Sequence, residues 1–90
     1  MSEKTKISKK RSDIYEKLVK SPNNIGFDFI CIAAKLFGFH QRGGKGSHVI
    51  FVRKGVLEML NFQNVKGKAK PYQIRQFLKI IEKYNLLEEL

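Results

Sequence analysis

A histidine directly follows a glycine-rich, lysine-bearing turn in QRGGKGSHVIFVRK, residues 41–54. A free imidazole has a pKa of about 6.5, so a histidine side chain can take up or release a proton near neutral pH. The backbone N–H groups of Gly46 and Ser47 can bind an oxyanion, because glycine allows close approach to its backbone. Lys45 adds positive charge, and Ser47 can add a hydroxyl donor. The turn therefore predicts a phosphate cradle that presents His48, although a histidine at a strand end can also be purely structural.

Positive charge is concentrated in the middle of the chain. Residues 40–75 carry eight basic side chains and a single acid, Glu58. Because Mg²⁺ sites require clustered carboxylates, this segment predicts chemistry without a metal or other cofactor. The candidate residues for contacting the phosphates of a nucleic acid are Arg42, Lys45, Gly46, Ser47, Lys66, Lys68, Lys70 and Arg75.

The totals favour one small soluble domain with a polyanionic partner. Ninety residues, 42% of them hydrophobic, predict a single folded domain over residues 1–90. The formal net charge of +10 favours nucleic acid, an acidic protein or an anionic surface as partner. No apolar run approaches the length of about 20 residues that spans a membrane, and the N-terminus lacks the apolar core of a secretory signal. With Cys31 as the one cysteine, we expect a cytoplasmic protein.

The apolar pattern predicts helices at both ends of a sheet. Residues 1–8 are expected to be a flexible tail, and residues 12–20 a short helix capped by Ser12. Residues 27–37 have helical spacing, with Gly38 placed to end the helix. A final helix is predicted from Pro71, because apolar residues recur at i, i+3, i+4 and i+7 from Ile74.

Three strands are predicted between these helices. FHQR and SHVIFV flank GGKG as a hairpin, and residues 60–63 alternate as in a strand, although a helix from Val56 is an alternative reading. The expected fold is α+β, with a three-stranded antiparallel sheet and the helices packed on one of its faces.

The hairpin register determines which side chain lies beside His48. A four-residue loop pairs Gln41 with His48 and His40 with Val49, which makes Gln41 a possible orienting residue. A three-residue loop would place His40 beside His48, since a slip of one residue exchanges the faces of a strand. We favour the first register, which leaves the second proton-transfer group unassigned.

Two segments together resemble the HicA family of bacterial toxins. They are GFHQRGGKGSHVIFV and, further on, LNFQNVKGKAKPYQIRQFLKIIEKYNL. The shared features are a Gly-Phe before the first strand, a basic turn ending in Gly-Ser-His, a third strand, a basic loop and a closing helix. The resemblance covers a core of roughly residues 25–86, with the helix at 12–20 as an addition.

The resemblance implies a toxin that cleaves mRNA without a metal and is blocked by a HicB-type antitoxin. It implies a fold like a double-stranded-RNA-binding domain, (α)-α-β-β-β-α, and it makes His48 the catalytic residue. The chain departs from many members after the Gly-Ser-His motif, where it has apolar residues 49–52, and in its third strand, MLNFQNV. Two alternatives remain from the composition: a non-catalytic RNA-binding module, and a module that docks an acidic protein.

Overall fold

Three helices and a four-stranded antiparallel sheet make up residues 3–89, the part of the chain that the computed structural model describes. The elements are α1 (Glu3–Lys20), α2 (Phe27–Leu36), β1 (His40–Gly43), β2 (His48–Val52), β3 (Leu60–Val65), β4 (Lys68–Ala69) and α3 (Pro71–Lys83). The strands lie side by side in sequence order. The predicted α+β class is confirmed, but a sheet of three strands is wrong, because the chain turns back after β3 and pairs Val65 with Lys68.

The helices cover one face of the sheet and leave the other open. Phe51 on β2 and Phe62 on β3 are buried in one apolar cluster with residues of all three helices. The Phe77 ring of α3 lies edge-on to Phe62, with 5.9 Å between their centroids, and edge-on to Phe37 at 5.5 Å. Side chains that alternate with these, such as that of His48, are exposed on the opposite face.

The end of α2 and the start of α3 form as the sequence predicts. After α2, the N–H of Gly38 donates to Lys35 O and the N–H of Phe39 donates to Ala34 O, each at 3.0 Å. This pair of bonds is a Schellman motif, which ends a helix and turns the chain toward β1. Pro71 occupies the start of α3, where its missing N–H removes no helical hydrogen bond.

The first helix is longer than the sequence predicts. It begins at Glu3, so residues 3–8, predicted as a flexible tail, are helical, and Ser12 lies inside the helix rather than at its start. Residues 1 and 2 of that predicted tail lie outside the described residues. Ile14 and Leu18 are buried, as their spacing predicts.

Arg11 attaches this helix to the rest of the molecule. It is 9% exposed, and its guanidinium donates to Leu36 O at 2.9 Å and to Leu86 O at 3.1 Å. It also pairs with Glu89 at 3.4 Å. A guanidinium has five N–H donors in a planar fork, so one side chain can satisfy several carbonyls at once. Arg11 therefore has a structural role and is not available as part of a basic surface on α1.

The register of the β1–β2 hairpin differs from the favoured one. His40 pairs with Val52, Gln41 with Phe51, and Gly43 with Ile50, with a bulge at Arg42. The pairings of Gln41 with His48 and of His40 with Val49 are therefore wrong. The bulge and a longer loop account for the difference, because together they move β1 along β2 toward its far end.

Candidate nucleic-acid interface

His48 and Gln63 lie directly opposite each other on β2 and β3. The N–H of Asn64 donates to Ser47 O at 2.8 Å, which identifies the His48–Gln63 pair as one without mutual backbone hydrogen bonds. In such pairs the Cα atoms are only about 4.5 Å apart, and the side chains lie close together. His48 is exposed and Gln63 is half-buried. The amide of Gln63 is therefore the side chain next to the imidazole on the open face.

A tight turn leads into His48. The N–H of His48 donates to Lys45 O at 3.2 Å, which encloses Gly46 and Ser47. Gly46 has φ +63°, and glycine with positive φ at the first central position is the arrangement of a type II′ turn. Within residues 3–89, no backbone carbonyl accepts a hydrogen bond from the N–H of Gly46 or Ser47. Both residues are exposed, so these N–H groups can reach an anion.

Gly44 holds the other end of the loop against β2. Its φ is +141°, a backbone conformation that residues other than glycine rarely adopt. A Cβ at this position would lie 2.9 Å from Val49 Cα and closer still to the carbonyl oxygen of His48. The loop therefore crosses the start of β2 at a distance that only glycine allows, and this contact fixes the backbone of His48.

A second tight turn lies at the same end of the sheet. Lys66 and Gly67, between β3 and β4, have φ +53° and +86°, as in a type I′ turn. The side chain of Asn64 accepts the N–H of Gly67 at 2.7 Å. Because Asn64 is also bonded to Ser47, the two turns are anchored at one residue, and Lys66 belongs to the same region as His48.

The remaining predicted basic residues extend this region toward α3. Lys68 pairs with Val65 and so faces the open side of the sheet, roughly 12 Å from His48 between Cα atoms by strand geometry. Lys70 precedes α3, with its ammonium 6.0 Å from the ring centroid of Tyr72. Arg75 is exposed one turn further along the same side of the helix as Tyr72.

Gln73 is a site residue that sequence reasoning missed. Its Oε1 accepts the N–H of Gln63 at 2.8 Å, and its Nε2 donates to Tyr72 Oη at 3.3 Å. β4 ends before it can pair with Gln63, so the side chain of Gln73 completes the hydrogen bonding of β3 at this point. Only 4% of Gln73 is exposed. A glutamine on the apolar side of a predicted helix, between Pro71 and Ile74, was the available signal.

The structure separates Gln41 and His40 from His48. Gln41 pairs with Phe51, and its amide donates to Gly43 O at 3.4 Å. His40 lies on the open face, contrary to the face expected for it, and is roughly 14 Å from His48 by strand geometry. Arg42 is exposed at the bulge of β1. Neither Gln41 nor His40 is placed to assist His48.

Glu58, the one acid in residues 40–75, is bound by side chains away from His48. Lys83 Nζ binds Glu58 Oε2 at 2.7 Å, and Tyr84 Oη donates to Glu58 Oε1 at 2.6 Å. These two bonds lower the pKa of Glu58 to about 2, with that to Lys83 the larger cause. Glu58 lies before β3, at the end opposite His48. The region around His48 therefore keeps its positive charge.

Comparison of the chain with protein-family models, curated proteins and solved structures gave no match. The resemblance to HicA toxins thus depends on the motifs and their order. No helix in residues 3–89 has the length and apolarity needed to cross a membrane.

Proposed function

We propose that this protein is a HicA-type toxin, an endoribonuclease that cleaves mRNA with His48 as its acid–base residue. One observation carries the proposal: an exposed histidine directly follows two free backbone N–H groups, in a turn fixed to β2 by Gly44. The order of helices and strands supports the further proposal of a core like a double-stranded-RNA-binding domain, extended by α1 and β4.

The proposed chemistry uses the nucleophile that RNA carries. His48 takes the proton of a 2′-OH, and the oxygen attacks the adjacent phosphorus as the bond to the 5′-oxygen breaks. The leaving oxygen takes up a proton, and the products are a 2′,3′-cyclic phosphate and a 5′-OH. A positioned acid–base group contributes about 10²–10⁴-fold in rate. The amide of Gln63, opposite His48, is placed to orient the imidazole or the ribose.

Phosphate binding is assigned to the two turns. The N–H groups of Gly46 and Ser47 donate to nonbridging oxygens, where donors stabilise the charge that develops during attack. Lys45 and Lys66 flank these amides, and the strand and helix residues Lys68, Lys70 and Arg75 continue the contact along the RNA backbone. Arg42, at the bulge of β1, contacts phosphate on the β1 side of His48.

A toxin of this kind requires an inhibitor in the same compartment. We propose a HicB-type antitoxin that covers His48 and places acidic groups against the lysines of the two turns, in the cytoplasm. Complementary charge mainly accelerates association, so this complex should form fastest at low salt.

A non-catalytic RNA-binding module is the second candidate, and a specific observation favours it. The side chain opposite His48 is a glutamine, and the other histidine, His40, lies at the far end of β2. Cleavage needs one proton removed from the 2′-OH and one given to the 5′-oxygen. With a single histidine at the site, His48 itself or solvent must supply the second proton.

The end groups of the RNA products test the proposal. Purified protein is incubated with a defined RNA in EDTA, and the fragments are analysed by mass spectrometry. Fragments with a 2′,3′-cyclic phosphate and a 5′-OH are expected. Products with a 5′-phosphate, or cleavage only with Mg²⁺, would contradict the mechanism, whereas tight binding without cleavage would favour the second candidate.

A further inference from the structure

Two large apolar side chains project into solvent from the β2–β3 loop. Leu57 is 91% exposed and Met59 is 60% exposed. Single exposed apolar residues are common on protein surfaces and need no explanation. Met59, however, also lines a groove against α3, and Leu57 lies two residues before it on the same loop.

The loop that presents them is held in place. The N–H of Leu57 donates to Tyr84 Oη at 3.2 Å, and the same hydroxyl donates to Glu58 Oε1 at 2.6 Å. Lys83 binds the other oxygen of Glu58 at 2.7 Å. Polar contacts on both Leu57 and Glu58 thus fix the backbone in a position that keeps the side chain of Leu57 in water.

The groove beside the loop has room for one large side chain. Its volume is about 250 Å³, and it is lined by Glu58, Met59, Gln76, Lys79 and Ile80. An apolar cavity of about 150 Å³ holds a benzene molecule. Drug-sized ligands occupy pockets of about 300–1,000 Å³. The groove therefore fits a single aliphatic or aromatic side chain better than a free metabolite.

The free charge around the groove is positive. Lys79 lines the groove and is exposed, and Arg75 lies one turn before it on α3. Glu58, the acid in the lining, is already paired with Lys83. A second copy of this chain is a poor occupant, because each copy carries a net charge of +10. Leu57 offers RNA neither a charge nor an aromatic ring.

We propose that this surface, formed by Leu57, Met59 and the groove against α3, docks an acidic amphipathic segment of a partner protein. One apolar side chain of the segment enters the groove, others pack on Leu57 and Met59, and a flanking carboxylate pairs with Lys79. Apolar anchors in pockets supply most of the affinity in such contacts, and charges supply specificity.

The docking surface is separate from the region around His48. Met59 directly precedes β3, and Gln63, opposite His48, lies roughly 13 Å further along that strand. A partner on this surface can therefore bind while RNA occupies the two turns. The inference goes beyond the proposed function and does not depend on it.

A synthetic helical peptide tests the proposal, with leucine and phenylalanine along one face and glutamate along the other. Its binding to the full chain is followed by fluorescence anisotropy. A matched peptide with lysine in place of glutamate is the charge control. We expect saturable binding of the acidic peptide only, weakened about 10-fold or more by Leu57→Ser or Met59→Ser, since each removes a buried apolar contact. Ile32→Ser is the matched variant, because Ile32 on α2 is also 60% exposed, and it should leave binding unchanged.

Three results would overturn the proposal. The first is failure of the acidic peptide to bind, or equal binding to the Leu57→Ser variant. The second is displacement of the peptide by single-stranded RNA, measured on the His48→Ala variant so that the RNA is not cleaved. This result would place the peptide at the two turns around His48. The third is dimerisation of the chain, measured by sedimentation, that Leu57→Ser abolishes, which would make a second copy the occupant.

Discussion

The N–H of Gln63 donates to the side chain of Gln73, and the N–H of its neighbour Asn64 donates to Ser47 O beside the start of β2. Hydrogen bonds thus hold the backbone at Gln63 from two sides. The strand residue opposite His48 is thus fixed by a residue of α3. Helix and strand meet at this point because β4 is only two residues long and leaves the N–H of Gln63 without a strand partner. A side chain remote in sequence therefore determines the surroundings of the candidate catalytic residue.

Replacing Gln73 should affect both stability and the site. Gln73→Leu leaves the N–H of Gln63 without its acceptor, which we expect to lower the free energy of unfolding by about 1–3 kcal/mol. The same change should reduce RNA cleavage by the protein that remains folded. Urea unfolding and initial cleavage rates measure the two effects. Gln76→Leu, an exposed position on the same helix, should change neither, and equal effects of both variants would remove the assigned role of Gln73.

Adjacent glycines provide a second matched pair. Gly44→Ala places a Cβ 2.9 Å from Val49 Cα, so the loop must move away from β2. We expect this variant to lose stability by about 1–3 kcal/mol and to lose activity with it. Gly43→Ala meets no atom within 4 Å and should keep both. Thermal unfolding and amide NMR shifts at His48 would show the difference, and an unperturbed Gly44→Ala variant would refute the role of the contact.

Replacing Lys66 should raise the stability of the fold and weaken the electrostatic part of RNA binding. A left-handed conformation costs most residues roughly 1–2 kcal/mol, whereas asparagine adopts it readily in type I′ turns. Lys66→Asn should therefore raise the free energy of unfolding by about 1 kcal/mol. It should also flatten the slope of log K against log salt for single-stranded RNA by about 0.7, the value for one phosphate contact. Lys54→Asn, on the β2–β3 loop, controls for net charge, and a matching loss of slope there would indicate nonspecific binding.

Acid should weaken the attachment of the β2–β3 loop through Glu58. Its pKa is about 2 in the folded protein and near 4.5 as an ordinary carboxyl, so the folded state binds the proton less tightly. The resulting stabilisation is present above about pH 4.5 and is lost as the pH falls toward 2. Thermal midpoints between pH 5 and 2 should fall less steeply for Glu58→Gln than for the natural chain.

Local patterns in the sequence predict much of this fold. The apolar spacing of α2 and α3, Gly38 after α2, Pro71 at the start of α3 and the alternation in β3 each depend on neighbouring residues, and each is confirmed. The start of α1 was wrong, since the helix begins at Glu3; the long-range bonds of Arg11 to carbonyls of distant residues are likewise absent from the local pattern. β4 was missed for a similar reason, since a two-residue strand has no periodicity.

The candidate site was less accessible to sequence reasoning than the fold. The free N–H groups of the Gly46–Ser47 turn are a local property, and the sequence indicated them. The neighbour of His48 depends on the register of two strand pairs, and a bulge at Arg42 removed Gln41 from the position expected for it. Gln63 and Gln73 meet only in three dimensions, so their link to His48 became visible from the structure alone.

The cleavage rate of a His48→Ala variant tests the central claim most directly. The measurement is single-turnover cleavage of a defined RNA in EDTA, with RNA affinity and thermal unfolding recorded for the same samples. We predict a fall of about 10²–10⁴-fold or more in rate, with affinity and unfolding unchanged, because an exposed acid–base group contributes to the chemistry and not to the core. His48→Gln keeps a polar side chain that cannot transfer a proton at neutral pH, and its cleavage rate should fall equally. Cleavage at the natural rate by a folded His48→Ala variant would contradict the account.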